Sequence, residues 1–419
     1  EYMSSDSLEE ATYKLTNANG ELILFTGIEH LHVGSSLIKI LSPTNANINS
    51  MWSASENTLY MYGSKELSWS FTSGSRTLAD PINDLPNVNL TSSATLVIKG
   101  SPYDDAGNYN YSRIGSGGPL SGAVECALSI DLGAGNDEIS TLRSIAGDSI
   151  DLGTGNDTIN LYPLSGEAIS SHNLTKLDGG AGVDTLSFAA SGYGEIGATL
   201  TLTSRGATDF ENLVGTAVSE TLQGDSNNNI LAGGGGADKI YGHDGDDTLY
   251  GQNFRGNLST GMPIDYRLNE IIYRAAGSQN DNANNLLYGG LGNDNLITGN
   301  GNDTLDGGKG SDFIFTGSGN DLIVLRAGDG GASLSDADII GWANDGPMVT
   351  STYNKSGFTD GLDTFGLADG LTFGDLTIEQ GTGDYSNDAI ISVTASSEYL
   401  AIVEGINASQ ITEGDILAL

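Results

Sequence analysis

The chain has 419 residues, 60 glycines and a formal net charge of −38, enough for two or three domains or for one elongated solenoid. Sixteen lysines and arginines are too few to favour nucleic acid, whose phosphates are met by those residues, or anionic lipid; divalent cations are the natural partners. The single cysteine, Cys126, excludes an internal disulfide, and no run approaches the roughly eighteen apolar residues of a membrane-spanning helix.

Residues 1–120 are not repetitive. Tyr13–Thr16, an Asn19-Gly20 turn and Glu21–Phe25 read as a hairpin or a tight coil corner. Further strands are expected over 37–41, 58–62, 67–71 and 94–98, giving an all-β N-terminal region. Residues 121–190 carry a degenerate motif. Asp131–Ile139 and Asp151–Ile159 are close copies whose acids, Asp137 and Asp157, stand twenty residues apart. A third copy, Gly179–Leu186, brings Asp184.

A strict frame of nine begins near Gly215, within a segment 191–251 that opens with a lead-in. Glu220, Asn229, Asp238 and Asp247 hold the acid position, and Leu222, Leu231, Ile240 and Leu249 follow two residues later. Residues 252–284 interrupt the frame with Arg255, Arg267 and Arg274 among Tyr266, Ile271, Ile272 and Tyr273. This insertion reads as a surface loop, with a basic, aromatic contact element for a neighbouring copy as the alternative. The frame resumes over 285–331: Asn285, Asp294, Asp303, Asp312 and Asp321, each followed by Leu287, Leu296, Leu305, Ile314 or Ile323. Residues 332–419 are again non-repetitive, with strands expected over 363–367, 370–378, 389–393 and 399–403.

The repeat, Gly-Gly-x-Gly-x-Asp-x-aliphatic-x, carries a physical argument. Glycine suits turns that take positive φ and pass close to an ion. The residues after the acid form a short strand with its aliphatic side chain inward. Two repeats then make one coil, and coils stack at roughly 4.8 Å. Asp294 is expected above Asp312 and Asp303 above Asp321. Such carboxylates would repel by about 3–4 kcal/mol at an effective dielectric near 20, unless a hard cation with several oxygen ligands lies between them. Calcium fits better than magnesium, which demands a tight octahedron. The expected metal ligands are Asp294, Asp303, Asp312, Asp321, Asp238, Asp247, Glu220, Asn229, Asp137, Asp157 and Asp184. Turn carbonyls of Gly289, Leu291, Gly307, Lys309, Gly233 and Gly235 complete the set. Glu220 is longer and Asn229 neutral, which suits an incomplete site capping the open end of a roll. A flexible Gly/Asp-rich linker would not keep an aliphatic residue at a fixed place through an unbroken array.

This array resembles the repeats-in-toxin (RTX) family of secreted bacterial proteins. The resemblance implies a calcium-filled parallel β-roll, several bound Ca2+ ions, an extracellular location and export by a type I route with an uncleaved C-terminal signal. It also implies that 332–419 covers the end of the roll. The chain opens on Glu1 without a cleavable signal peptide, so trimming or such an alternative route is expected.

Chemistry-bearing clusters are sparse. His30 and His32 share one face of a strand and could chelate zinc, but an ordinary strand face is the simpler reading. His172 and His243 stand alone, and His243 fills a turn position usually taken by glycine. There is no nucleophile elbow and no HExxH, which argues against the lipases and metalloproteases of the resembled family. Cys126 reads as an apolar residue. The expected fold is an elongated all-β parallel β-roll or β-helix solenoid with calcium-filled turns, flanked by less regular β regions. The leading functional expectation is a secreted, non-enzymatic structural protein that self-associates into a surface layer, filament or matrix. The alternatives are an adhesin that binds a cell-surface glycan or peptide through Trp52 and Trp69, and a polysaccharide-active β-helix enzyme.

Overall fold

The structure, a computed structural model, describes residues 129–139, 147–161, 174–188, 196–251, 283–341, 358–359 and 361–419 in full. Elsewhere it describes strand backbone only, between residues 13 and 143 and at residue 162. The side chains of His30, His32, Trp52 and Trp69, together with Cys126, His172 and the insertion residues 252–282, lie outside the described residues. The fold is all-β, and among the described residues the longest helical pieces are single 3-10 turns. No described helix is long and apolar enough to cross a membrane. The chain divides into two compact units, Glu1–Ile159 with Leu174–Gly182, and Asn160–Asn173 with Val183–Leu419.

In the first unit, Tyr13–Thr16 pairs antiparallel with Leu22–Phe25. A meander of His30–Val33, Ser36–Leu41, Ile48–Ser53 and Thr58–Gly63 is also antiparallel. The pairing then changes sign. Thr58–Gly63, Thr95–Lys99, Ala127–Asp131, Ser149–Asp151 and Lys176–Asp178 follow one another in parallel. Ser68–Ser70, Ala106–Asn108 and Glu138–Arg143 form a second parallel series. The twenty-residue step between the two degenerate motifs is one coil of chain: Ser129 pairs with Ser149 and Asp131 with Asp151.

The second unit is a roll of two parallel stacks joined by glycine turns. One stack runs Thr199–Thr201, Thr221–Gln223, Lys239–Asp244, Leu286–Leu291, Thr304–Lys309, Leu322–Leu325, Thr364–Leu367 and Ile416–Ala418. The other runs Thr185–Ser187, Asn212–Val214, Ile230–Ala232, Thr248–Tyr250, Asn295–Ile297, Phe313–Phe315, Asp338–Ile340 and Glu398–Val403. Antiparallel Ala389–Val393 and Leu376–Gln380 continue this second stack. Residues 373–375, expected inside a strand, instead form a 3-10 turn in which the Asp375 carboxylate accepts the N–H of Thr372. The insertion does not disturb register, since Lys239–Asp244 pairs directly with Leu286–Leu291.

A period of nine puts one aliphatic residue of every repeat on the inner face. Leu222, Leu231, Ile240, Leu249, Leu287, Leu296, Leu305, Ile314 and Ile323 are all 0% exposed. Outward neighbours differ between the stacks. On the second stack Ala232, Tyr250, Ile297, Phe313 and Phe315 form a buried cluster with Val214, Ile230 and Ile339 against it. Strand alternation turns these residues away from the inner row, so a second apolar layer lies outside the roll.

The turns require glycine where rungs touch. Gly290 has φ +126°, and a Cβ there would lie 1.8 Å from the His243 carbonyl oxygen. Gly308, one rung on, has φ +94° and would meet the Gly290 carbonyl. His243 itself is exposed at φ 84°, with its ring beside Tyr241 at 6.5 Å between centroids. Leu305→Ala should cost about 2–5 kcal/mol of stability in calcium, whereas exposed Leu291→Ala should change it by less than about 0.5 kcal/mol. Urea denaturation of both variants checks this, and equal losses would contradict the inner-row assignment.

Candidate metal sites

The acids of the repeat form two columns, one on each edge of the roll. In the first, each backbone N–H donates to the side-chain oxygen of the acid position one coil later. Glu220 donates to Asp238 Oδ1 (2.9 Å), Asp238 to Asn285 Oδ1 (2.9 Å), Asn285 to Asp303 Oδ1 (2.7 Å) and Asp303 to Asp321 Oδ1 (2.8 Å). In the second, Asn229 donates to Asp247 (2.7 Å), Asp247 to Asp294 (2.7 Å) and Asp294 to Asp312 (2.8 Å). The first unit repeats the contact between Asp137 and Asp157 at 2.7 Å. The Asp184 N–H donates at 2.7 Å to Glu211 Oε2, an acid nine residues before Glu220 and two before the buried Leu213. One carboxylate oxygen of each rung is thus committed to holding the rung before it.

The other oxygen decides whether a cation fits. Oδ2 of Asp247, Asp294 and Asp312 is buried without a hydrogen-bond partner. Each faces the glycine five residues earlier. A Cβ on Gly242, Gly289 or Gly307 would stand 2.3, 2.3 or 2.1 Å from that oxygen. The carbonyl of the next rung enters the same hollow: Gly289 O lies 2.7 Å from such a Cβ on Gly242, and Gly307 O lies 2.4 Å from one on Gly289. Glycine therefore keeps open a space lined by a carboxylate oxygen and a carbonyl oxygen, the donor chemistry a hard cation prefers. Gly233 makes the same hollow beside Asp238 Oδ2, at 2.4 Å. The carbonyls of Leu291 and Lys309 accept the N–H groups of Gly245 (2.8 Å) and Gly292 (2.9 Å) and keep one lone pair each. Gly235 donates its N–H to Thr216 O at 2.9 Å. No three His, Cys, Asp or Glu side chains converge among the described residues, so a metal held here must draw on backbone carbonyls.

Glu220 and Asn229 are built differently. Glu220 bends back onto its own turn, where its carboxylate accepts the N–H of Thr216 at 3.2 Å and the Thr216 hydroxyl. Asn229 Oδ1 accepts the Asp225 N–H at 2.8 Å, and its Nδ2 donates to Glu211 O at 2.9 Å. The polar atoms of both are engaged without a cation.

Burial pushes the carboxyls of Asp247, Asp294, Asp321 and Glu220 up to about 7, against a partial pull downward by hydrogen bonds. Neighbouring carboxylates add to the rise at Asp247, Asp294 and Asp321 as a smaller cause. Repulsion between stacked acids, expected from the sequence to be the main obstacle, is therefore secondary to desolvation.

Three features of the columns escaped sequence reasoning. The residue before each acid builds a second ladder in the opposite direction. Asn228 Oδ1 accepts from Asp246 N–H (3.0 Å), Asp246 Oδ1 from Asn293 (2.8 Å) and Asn293 Oδ1 from Ser311 (2.9 Å). Thr298 and Thr316 replace the first turn glycine before Asp303 and Asp321 and are buried. Both columns also continue beyond the frame: Asp312 N–H donates to Asp338 Oδ1 (3.1 Å) and Asp321 N–H to Asp363 Oδ1 (2.9 Å). The available signal was an acid two residues before a large buried apolar one, Ile340 or Phe365.

Residues 215–256, 288–323 and 297–330 match the family model of the RTX calcium-binding nonapeptide repeat, in four copies. No curated protein matches the chain.

In a chelator, stability should fall as pH rises. The folded carboxyls of Asp247, Asp294 and Asp321 titrate near 7 and their ordinary value is 3.8. Between those values the folded state holds protons that the unfolded chain has released, so stability is lost with rising pH across that window. The calcium-free chain should hold more β structure at pH 5 than at pH 8 by circular dichroism. The reverse order would show that these carboxyls are not buried as described.

Proposed function

We propose that this chain, whose two arrays are RTX calcium-binding nonapeptide repeats, is a secreted structural protein that folds on calcium and then self-associates into a surface layer, filament or matrix. The observation that carries the calcium half is the row of buried, uncommitted oxygens on Asp247, Asp294 and Asp312, the first two of which share a hollow with the glycine carbonyl of the next rung. The ligands we assign are the Asp238, Asp247, Asp294, Asp303, Asp312 and Asp321 carboxylates and the turn carbonyls of Gly233, Gly289 and Gly307. Asp137, Asp157 and Asp184 form less regular sites. Glu220 and Asn229, already engaged by their own turns, close the open ends of the columns.

When bound, calcium supplies the positive charge that lets these carboxyls stay ionised while buried. The protein's own part is to fix one oxygen of each acid to the rung before and to keep the hollow open with glycine. Without the metal, desolvated carboxylates and the conformational entropy of 60 glycines oppose a core only one aliphatic residue wide per strand. Low cytosolic calcium then keeps the chain unfolded for export, and extracellular calcium folds it. Self-association is supported by two features. Large non-repetitive β regions stand on either side of the arrays in sequence, as contact surfaces. The net charge of −38 opposes contact between copies until cations screen it.

A calcium titration followed by circular dichroism tests the sites. Asp294→Ala and Asp312→Ala should each raise the calcium concentration at half-folding by about tenfold or more, and Gly289→Ala should do the same by filling the hollow. Wild-type midpoints for all three would remove the site assignment. Light scattering and negative-stain imaging with calcium and with chelator test assembly. Calcium-folded chains that stay monomeric at high concentration would overturn the assembly half alone.

A further inference from the structure

The two columns end differently. Asp338 and Asp363 both lie outside the matched repeats, 26 and 42 residues after the preceding acid. Each nevertheless reproduces the bonding of a repeat acid. Ile339 N–H donates to Asp312 O (2.7 Å) as Phe313 N–H does to Asp294 O (2.8 Å), and Thr364 N–H donates to Asp321 O at 2.8 Å. Asp363 then closes on itself, because its Oδ2 accepts the N–H of Thr359 at 2.6 Å. This is the four-residue back-contact by which Glu220 and Asn229 satisfy themselves at the opposite end of the roll.

Asp338 has no such contact within its own turn among the described residues. It is 5% exposed, and Asp312 beneath it is 1% exposed with Oδ2 unpartnered. Asp329 and Asp306 add further negative charge around it, and Arg326 pairs with Asp306 and Asp369. Two buried carboxylates on adjacent rungs, one of them with an oxygen that has no hydrogen-bond partner, need a cation or a proton. Asp338 also begins the strand that pairs with the C-terminal sheet, Asp338 to Ala401 and Ile340 to Val403.

We propose that Asp312 and Asp338 hold a terminal divalent cation, and that this ion locks the C-terminal sheet Leu376–Val403 onto the end of the roll. The proposal rests on the calcium reading of the repeats. It makes docking of the C-terminal sheet depend on metal, and it assigns the column ending at Asp363 no such ion.

The test uses the full chain and calcium alone. Asp338→Asn keeps the acceptor for the Asp312 N–H and removes the charge. It should bind about one calcium fewer per chain by equilibrium dialysis, with the array's own folding midpoint little changed. Amide exchange over 389–403 should be slow in wild type with calcium, and fast in wild type with chelator and in Asp338→Asn with calcium. Asp363→Asn should bind as many ions as wild type. Unchanged stoichiometry in Asp338→Asn overturns the terminal site, as does wild-type protection of 389–403 that persists in chelator. A wild-type chain that binds no calcium would instead remove the reading of the repeats on which this one rests.

Discussion

The second unit depends on dividing each aspartate's carboxylate between two tasks. One oxygen accepts the backbone N–H of the rung before, at 2.7–2.8 Å through Asp247, Asp294, Asp303, Asp312 and Asp321. That bond satisfies a turn amide that would otherwise be buried and orphaned, at a cost of about 1–3 kcal/mol. It cannot also satisfy the second oxygen, which must be buried for the first to reach its donor. Rung-to-rung cohesion therefore generates a charge problem at every turn, and the cohesion and the problem cannot be separated by substitution at one position.

This arrangement explains why glycine recurs five residues before the acid rather than merely somewhere in the turn. Positive φ accounts for Gly290 and Gly308. It does not account for Gly242, Gly289 or Gly307, whose requirement is space: any side chain there would strike the uncommitted Oδ2, and at Gly242 and Gly289 the next rung's carbonyl as well. In the other column Thr298 and Thr316 take this place before Asp303 and Asp321, so the two edges of the roll differ in how open a hollow they offer. The edge with Asp247, Asp294 and Asp312 is the more uniform of the two.

Most of the roll was legible because its period is local. The inner aliphatics, the stacking of Asp294 on Asp312 and the parallel coils all follow from a spacing of nine, and the RTX repeat model covers the same segments. What was not legible depends on contacts across coils or breaks the frame. The asparagine ladder through Asn228, Asp246 and Asn293 uses a position whose identity varies along the sequence. Asp338 and Asp363 keep the geometry of the repeat without its spacing, since loops of irregular length precede them. The outer cluster of Tyr250, Ile297 and Phe315 reads in sequence as ordinary strand residues, because alternation says which side faces outward but not whether that side is covered. The rank of the stacking repulsion below desolvation was not legible for a related reason. Pairwise spacing can be read from a repeat, but the burial that dominates these carboxyls is a property of the assembled roll.

The ends of the columns show what the middle requires. Glu220, Asn229 and Asp363 each reach an N–H four residues earlier in their own turn. A repeat acid can thus satisfy its second oxygen locally when it stands at an end. Asp247, Asp294 and Asp312 do not make that contact, although their backbone pairing is of the same kind. Local satisfaction would draw the carboxylate into its own turn and away from the hollow shared with the next rung. Interior aspartates with an unspent oxygen are therefore left for a cation or a proton to complete. The three self-satisfied ends, Glu220, Asn229 and Asp363, stop their columns without leaving a further uncompensated charge there.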